Sequence, residues 1–519
     1  MCEYIFMSQS NKKKGVIAAG HPETAHAAAG VLRDGGNAFD AAIAAQFTAF
    51  VAEPILTSLG GGGFLLAETK DGKQTLYDFF VQTPVKKKKA SNLQFEPISA
   101  DFGEAEQEFH IGAGSIATPG MVKGLHTIHE DLCTMPMPRL AEYAVKLAKN
   151  GVKVNAFQSL VFEIIKPIYI SSDQARRIYG DTAEGKIFKM PELAAFLEEL
   201  ANRSADFFYK GEAAQKISEI CSEQGGHLTK EDLNSYRVHK REPHKFRYRN
   251  SHISINPPPS SGGILIAFAL NLIENIDLKK VQFGSEAHLS LLALVQQLTH
   301  KARMDAFVNQ PFDDPAKKLF EPEYLAMYKK EIAGRRASFR GTTQISIADS
   351  FGNMASLTSS NGEGSGVMIP EAGVMLNNML GEEDLNPGGF NNWQEGERMT
   401  SMMAPVILKL PDGTRIALGS GGSNRIRTAL MQVLINLIDF DMPPEEAVNS
   451  PRVHNENGLI NIEAGFEDDA VSEVIKQYPD HKIWKEKNLF FGGAHLASHG
   501  PKGFSGAGDE RRGGVSLIV

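Results

Sequence analysis

The chain has 519 residues, 22% of them charged and 42% hydrophobic, with a formal net charge of −8. That length exceeds one ordinary core, so two lobes or one large multi-layer unit is expected, and the composition excludes a disordered chain. The acidic balance argues against a nucleic-acid partner, and the longest apolar stretch, residues 41–51, is too short to span a bilayer.

Residues 1–14 lack the apolar run of a secretory signal and read as an extension, so a cytoplasmic location is the expectation. Cys2, Cys133 and Cys221 fall far apart, as reduced thiols do. His21, His26 and His495 show no paired ligand spacing; no metal or other cofactor is expected, and His495 reads as structural. The lysine runs Lys12–Lys14 and Lys86–Lys89 read as solvated loops.

In chain order, residues 15–19 predict a short buried strand. The alanine-rich segment 23–52 predicts two close-packed helices, broken at Gly35-Gly36-Asn37, where Gly ends one helix and Asn37 caps the next. Gly60–Gly63 leads into a hairpin, with strands at 64–68 and 75–79 around Asp71-Gly72. The middle, 121–333, reads as mostly helical; 140–147 and 286–306 carry helical periodicity and Thr229 opens a helix.

Beyond residue 342 the texture changes to hairpins. Strands are predicted at 344–349 and 353–359 around Ser350-Phe351-Gly352, and at 406–410 and 414–418 around Pro411-Asp412-Gly413. A helix follows at 424–440, and the chain ends on an apolar strand at 515–519. Strands at both ends with helices between them predict an α/β sandwich of several layers.

At the change of texture stands Gly341-Thr342-Thr343, after a basic segment. A threonine hydroxyl needs an adjacent base to act as a nucleophile. Cutting the chain before Thr342 would supply one, because a freed α-amine has a reference pKa of roughly 7.7–8.0. The plain alternative is a Thr-rich strand start after a loop.

Several segments together resemble the γ-glutamyltransferase family from residue 15 to the end. They are Gly35-Gly36-Asn37-Ala38, Leu59-Gly60-Gly61-Gly62-Gly63-Phe64, Thr118-Pro119-Gly120 and Pro257-Pro258-Pro259-Ser260-Ser261-Gly262-Gly263. Gly341-Thr342-Thr343, Leu376-Asn377-Asn378, Gly419-Ser420-Gly421-Gly422-Ser423 and Asp509-Glu510-Arg511-Arg512-Gly513-Gly514 continue the series. The resemblance implies an N-terminal-nucleophile hydrolase with a four-layer αββα sandwich. It also implies self-cleavage between Gly341 and Thr342 into a large piece, 15–341, and a small piece, 342–519, that stay associated.

On that resemblance Thr342 is the nucleophile, Thr358 hydrogen-bonds it, and Gly421 and Gly422 form the oxyanion hole, where each donor is commonly worth about 10²–10³ in rate. Thr343 contributes a hydrogen bond rather than chemistry. The substrate-reading positions depart from the family pattern. Phe80 stands where an arginine pairs the substrate α-carboxylate, a contact worth roughly 1.5–3 kcal/mol, or about 10- to 150-fold. Arg398, Arg425 and Arg427 are the candidate replacements. Ser360, beside Asn361, replaces an asparagine, and Glu382 replaces an aspartate that binds the α-ammonium. Thr400-Ser401 replaces a serine pair, and Gln344 replaces a histidine.

Two enzymatic readings follow, both taking a small amide and passing its acyl group to water or an amino acid. One is a γ-glutamyltransferase-like enzyme acting on glutathione-like amides, favoured by Glu382 and Ser401. The other is a related amidohydrolase with an oxamate- or glutaryl-type acyl group, favoured by Phe80. A third reading is an uncleaved, non-catalytic relative.

Overall fold

The computed structural model describes residues 13–101, 106–309, 314–328, 342–386, 388–456 and 458–519. Most of the extension read at 1–14, and the basic segment ending at Gly341, lie outside the described residues.

Two large sheets organise the molecule. The chain before residue 342 supplies β1 (Gly15–Ala19), β2 (Gly62–Glu68), β3 (Gln74–Phe79), β4 (His239–Arg241), β5 (His244–Tyr248) and β6 (Ser251–Ile255). The chain after it supplies β7 (Thr343–Asp349), β8 (Met354–Ser360), β9 (Val406–Lys409) and β10 (Arg415–Gly421). It also supplies β11 (Gly493–Gly500), β12 (Gly503–Ala507) and β13 (Val515–Ile518). A seven-stranded sheet runs β13-β1-β7-β8-β2-β3-β4, and a six-stranded sheet runs β12-β11-β10-β9-β6-β5. The central strand β7 lies antiparallel to β1 on one side and β8 on the other, with Gln344 opposite Thr358.

Strand alternation divides the interior into two cores. Ile345 and Ile347 of β7 face one core with Ile17 and Leu65, whereas Val16, Phe64, Leu66 and Ala348 face the other. Between the sheets β7 and β8 present small polar side chains. The Ser346 hydroxyl donates to the His495 carbonyl at 2.9 Å and the Ser356 hydroxyl to the Leu418 carbonyl at 2.8 Å, tying the sheets together.

Helices α1 (Pro22–Arg33) and α2 (Ala38–Ala52) pack on β1, β7, β8 and β13. Helix α2 is buried along its whole length, which its alanines permit. It starts with a capping box: the Asn37 side chain accepts from the Phe39 and Asp40 N–H groups, and Asp40 accepts from the Asn37 N–H. On the six-stranded sheet, α5 (Arg425–Ile438) packs on β10 and β11, and α3 (Gly262–Leu272) packs on α5 and on α4 (Glu286–Met304). No helix among the described residues is long and apolar enough to cross a membrane.

The middle is mostly helical, as expected, and it also holds strands that were not expected. Strands β4, β5 and β6 lie there and join both sheets. β4 and β5 are basic because both are edge strands, β5 with alternate side chains facing outward, whereas the interior strand β6 is short and mixes Ser and His with its isoleucines. The hairpin of Glu96–Asp101 with Glu106–Ile111 and the glycine-rich pair β11–β12 also carry too little apolar alternation to register as strands.

Candidate active site

Thr342 immediately precedes β7 and is buried. Its carbonyl rests on Gly421: a Cβ placed there would come within 2.0 Å of Thr342 O, so only glycine fits. Gly421 ends β10, and the chain turns through Gly422 (φ 118°) and Ser423 (φ 51°) into α5. Arg512 Nη1 donates to the Thr342 carbonyl at 3.4 Å. Burial lowers the Arg512 pKa to about 10, which leaves it a cation at neutral pH. The other half of the expected cleavage site, Gly341, lies outside the described residues.

A narrow pocket of about 20 Å³, room for about one water, opens on Thr342. Its polar lining is Ser360, Glu382, Ser401 and Ser423, and its apolar lining is Phe80, Met379, Leu385, Met402, Met403 and Ile426. The expected substrate-reading residues Phe80, Ser360, Glu382 and Ser401 are thus brought together around Thr342. Asn361 and Thr400 are not part of the lining. Asn361 is fully buried, and neither its side-chain nitrogen nor its oxygen has a hydrogen-bond partner among the described residues.

The Thr343 hydroxyl donates to Glu53 Oε2 at 2.6 Å, and Thr24 donates to the other oxygen at 2.7 Å. Burial raises the Glu53 pKa above its ordinary value, against the two threonine hydroxyls, which lower it. The Thr358 hydroxyl, expected on the nucleophile, donates to Gln344 Oε1 at 2.5 Å, and Gln344 faces it directly across the ladder. The Gln344 amide donates in turn to Ser346 at 2.9 Å and Ser356 at 3.1 Å.

The three candidate arginines are engaged away from the pocket. Arg398 stands 3.4 Å from Asp78 Oδ1, an ion pair without hydrogen-bond alignment, and donates to the Phe80 carbonyl and to Tyr236 Oη. Arg425 lies 5.1 Å over the Phe490 ring, and Arg427 donates to Glu456 at 3.1 Å. Phe80 itself is buried, its ring stacked on Phe64 at 5.4 Å.

The scattered motifs converge beneath this site. The Asn377 side chain donates to the Gly60 and Ala117 carbonyls, and Gly61 O accepts from the Gly120 N–H. The Ser401 carbonyl accepts from the N–H groups of Ser261 and Gly262 and from the Ser260 hydroxyl. His495 is structural as expected: it is buried, accepts from the Asp509 N–H, and burial lowers its pKa to about 4. Sequence reasoning missed Glu53, Asp384 and the individual role of Arg512. Of these only Arg512 carried a signal, as part of the Asp509–Gly514 motif.

The gamma-glutamyltranspeptidase family model matches residues 24–519. The glutathione hydrolase proenzyme of Escherichia coli is 30% identical over 497 residues, covering 88% of this chain and 84% of that protein. The acylase ACY 1 proenzyme of Pseudomonas sp. strain SE83 is 29% identical, covering 98% and 94%. The crystal structure of cephalosporin acylase from Bacillus halodurans superposes with a TM-score of 0.85 at 24% identity, over 100% of this chain and 98% of that one, a likeness of fold.

Proposed function

The chain belongs to the gamma-glutamyltranspeptidase family, and from that premise we propose an amide-cleaving acyltransferase or hydrolase working through an acyl-threonine at Thr342. The two facing sheets with helices outside them are read as the αββα sandwich of N-terminal-nucleophile hydrolases. The observation that carries the proposal is the seating of Thr342: it is buried at the mouth of β7, its carbonyl against Gly421, and it lines the pocket.

In the precursor the Thr342 hydroxyl attacks the Gly341 carbonyl, the peptide bond shifts to an ester, and water hydrolyses that ester. A carboxylate at Gly341 and an amine at Thr342 result. In the cleaved form this amine takes the Thr342 hydroxyl proton as Oγ attacks the substrate amide carbon. Peptide N–H groups of the Gly421-Gly422 turn hold the oxyanion, and the amine returns the proton to the leaving nitrogen. Water or an amino acid then takes the acyl group from Thr342.

The leading acyl group is γ-glutamyl, supported by Glu382 and Ser401 in the pocket. The burial of Phe80 against Phe64, with Arg398 turned to Asp78, supports the second reading, an acylase whose acyl group lacks the α-carboxylate. The cleaved pieces would remain associated.

A denaturing gel and a substrate comparison test the proposal together. The 56.6 kDa chain should separate into pieces of roughly 37 and 19 kDa by residue share, and Thr342→Ala should stay whole and inactive. Rates on γ-glutamyl, glutaryl and oxamoyl p-nitroanilides decide between the acyl groups. A full-length chain that turns these substrates over would overturn the mechanism.

A further inference from the structure

Ser423 is a non-glycine residue with φ at 51°, in the left-handed region that L side chains avoid, and it follows Gly422 at φ 118°. Such a backbone persists only where the surroundings over-determine it. Here the Ser423 hydroxyl donates to Asp384 Oδ2 at 2.9 Å, with both residues buried.

Asp384 is itself held. It sits in the short turn Glu383–Leu385, directly after Glu382. The Asn386 side chain closes that turn by donating to the Met379 and Glu382 carbonyls at 2.9 and 2.7 Å. Arg303, near the end of α4, approaches Asp384 Oδ1 at 3.7 Å and Glu456 at 3.8 Å, and Arg427 of α5 donates to the same Glu456. A chain of buried charges thus backs the hydrogen bond from three elements.

Resting on the reading of the Gly421-Gly422 turn as the oxyanion hole, we propose that Asp384 is a positioning residue. By accepting the Ser423 hydroxyl it fixes the turn that presents those N–H groups to Thr342. The turn that holds Asp384 follows directly on Glu382 of the pocket, so the segment that reads the acyl group is tied to the segment that stabilises its transition state. An oxyanion hole acts on charge that develops only in the transition state. Loosening it therefore lowers kcat and leaves KM in place.

The test measures kcat and KM per cleaved chain, on whichever of the γ-glutamyl or glutaryl p-nitroanilides the unsubstituted protein turns over faster. Ser423→Ala and Asp384→Ala should each lower kcat about 10- to 100-fold, with KM changed less than about threefold; Asp384→Ala should also lower the thermal midpoint, because it leaves buried Arg303 with one anionic partner fewer. The double substitution should be no worse than either alone, because both remove one hydrogen bond. Ser423→Gly loses the same bond yet adopts φ 51° without strain, so it should recover part of kcat. If Ser423→Ala blocks self-cleavage, Ser423→Gly against Asp384→Ala carries the comparison, with the glycine variant expected faster.

Unchanged kcat in Asp384→Ala, a glycine variant no faster than the alanine ones, or a rise in KM that matches the fall in kcat would overturn the assignment. Failure of the underlying reading looks different: the unsubstituted chain would stay whole, or Thr342→Ala would be active.

Discussion

The Thr343 hydroxyl donates a hydrogen bond to Glu53, a carboxyl group 290 positions earlier in the chain that also accepts from Thr24. The residue after the proposed nucleophile is thereby clamped to the end of α2. Burial raises the Glu53 pKa, so the folded state holds the carboxyl proton of Glu53 more tightly than the unfolded chain does. Its contribution to stability is full below the ordinary glutamate value and is lost as pH rises through the raised one. Glu53→Gln, which cannot ionise, should therefore gain on the unsubstituted protein between pH 4 and pH 7. Thermal midpoints across that range, on a Thr342→Ala background that keeps a single chain, check the sign. A constant difference would contradict it.

Gln344 is the hub between the sheets, accepting from Thr358 and donating to Ser346 and Ser356. Gln344→Ala leaves the Thr358 hydroxyl buried with no acceptor and opens a void against Gly419. A loss of about 1–3 kcal/mol is expected for the unsatisfied hydroxyl alone. Denaturant unfolding of the single-chain background measures it.

Phe80 carries the choice of acyl group. Phe80→Arg would place a guanidinium in the pocket wall beside Glu382 and Ser401. The ratio of kcat/KM for γ-glutamyl over acyl groups without an α-carboxylate should rise by about 10- to 150-fold, the worth of a charge-assisted hydrogen bond. Loss of the Phe64 stack should lower the thermal midpoint at the same time. An unchanged ratio in a folded variant would remove Phe80 from the specificity account.

Asp509 accepts from Arg452 and from Arg511, which also binds Glu463. Burial alone would raise the Asp509 pKa, yet the two guanidiniums hold it well below the ordinary carboxylate range. Its stabilising contribution is therefore present above about pH 3.9, the unfolded value, and is lost as pH falls below it. Asp509→Asn should cost roughly 3–5 kcal/mol at neutral pH, since it leaves buried cations uncompensated. The difference from the unsubstituted chain should shrink on acidification toward pH 2.

The sequence made some of this legible and concealed the rest for physical reasons. Asn37 announced the start of α2 because capping is a local bargain between neighbouring residues, and the β7–β8 hairpin announced itself by alternation. Thr342, Gly421 and the pocket residues Phe80, Ser360, Glu382 and Ser401 were found because short motifs carry them. Glu53, Asp384 and the contact of Arg512 with Thr342 were not, because each acts on a partner distant in the chain. The bond from Thr358 to Gln344 was not legible either, because the ladder register that pairs them is not written in either residue. The edge strands β4 and β5 were hidden by their basic, outward-facing side chains, and β6 by its shortness.

Strand β1 lies between β7 and β13, and β2 lies beside β8, so the two stretches of chain on either side of residue 342 are interleaved within one sheet. A cut before Thr342 would convert these ladders from links within a molecule into links between molecules. Neither fragment could assemble that sheet by itself. Once unfolded, the severed protein would have to recover through a second-order encounter whose yield falls on dilution, whereas the intact precursor needs no such meeting.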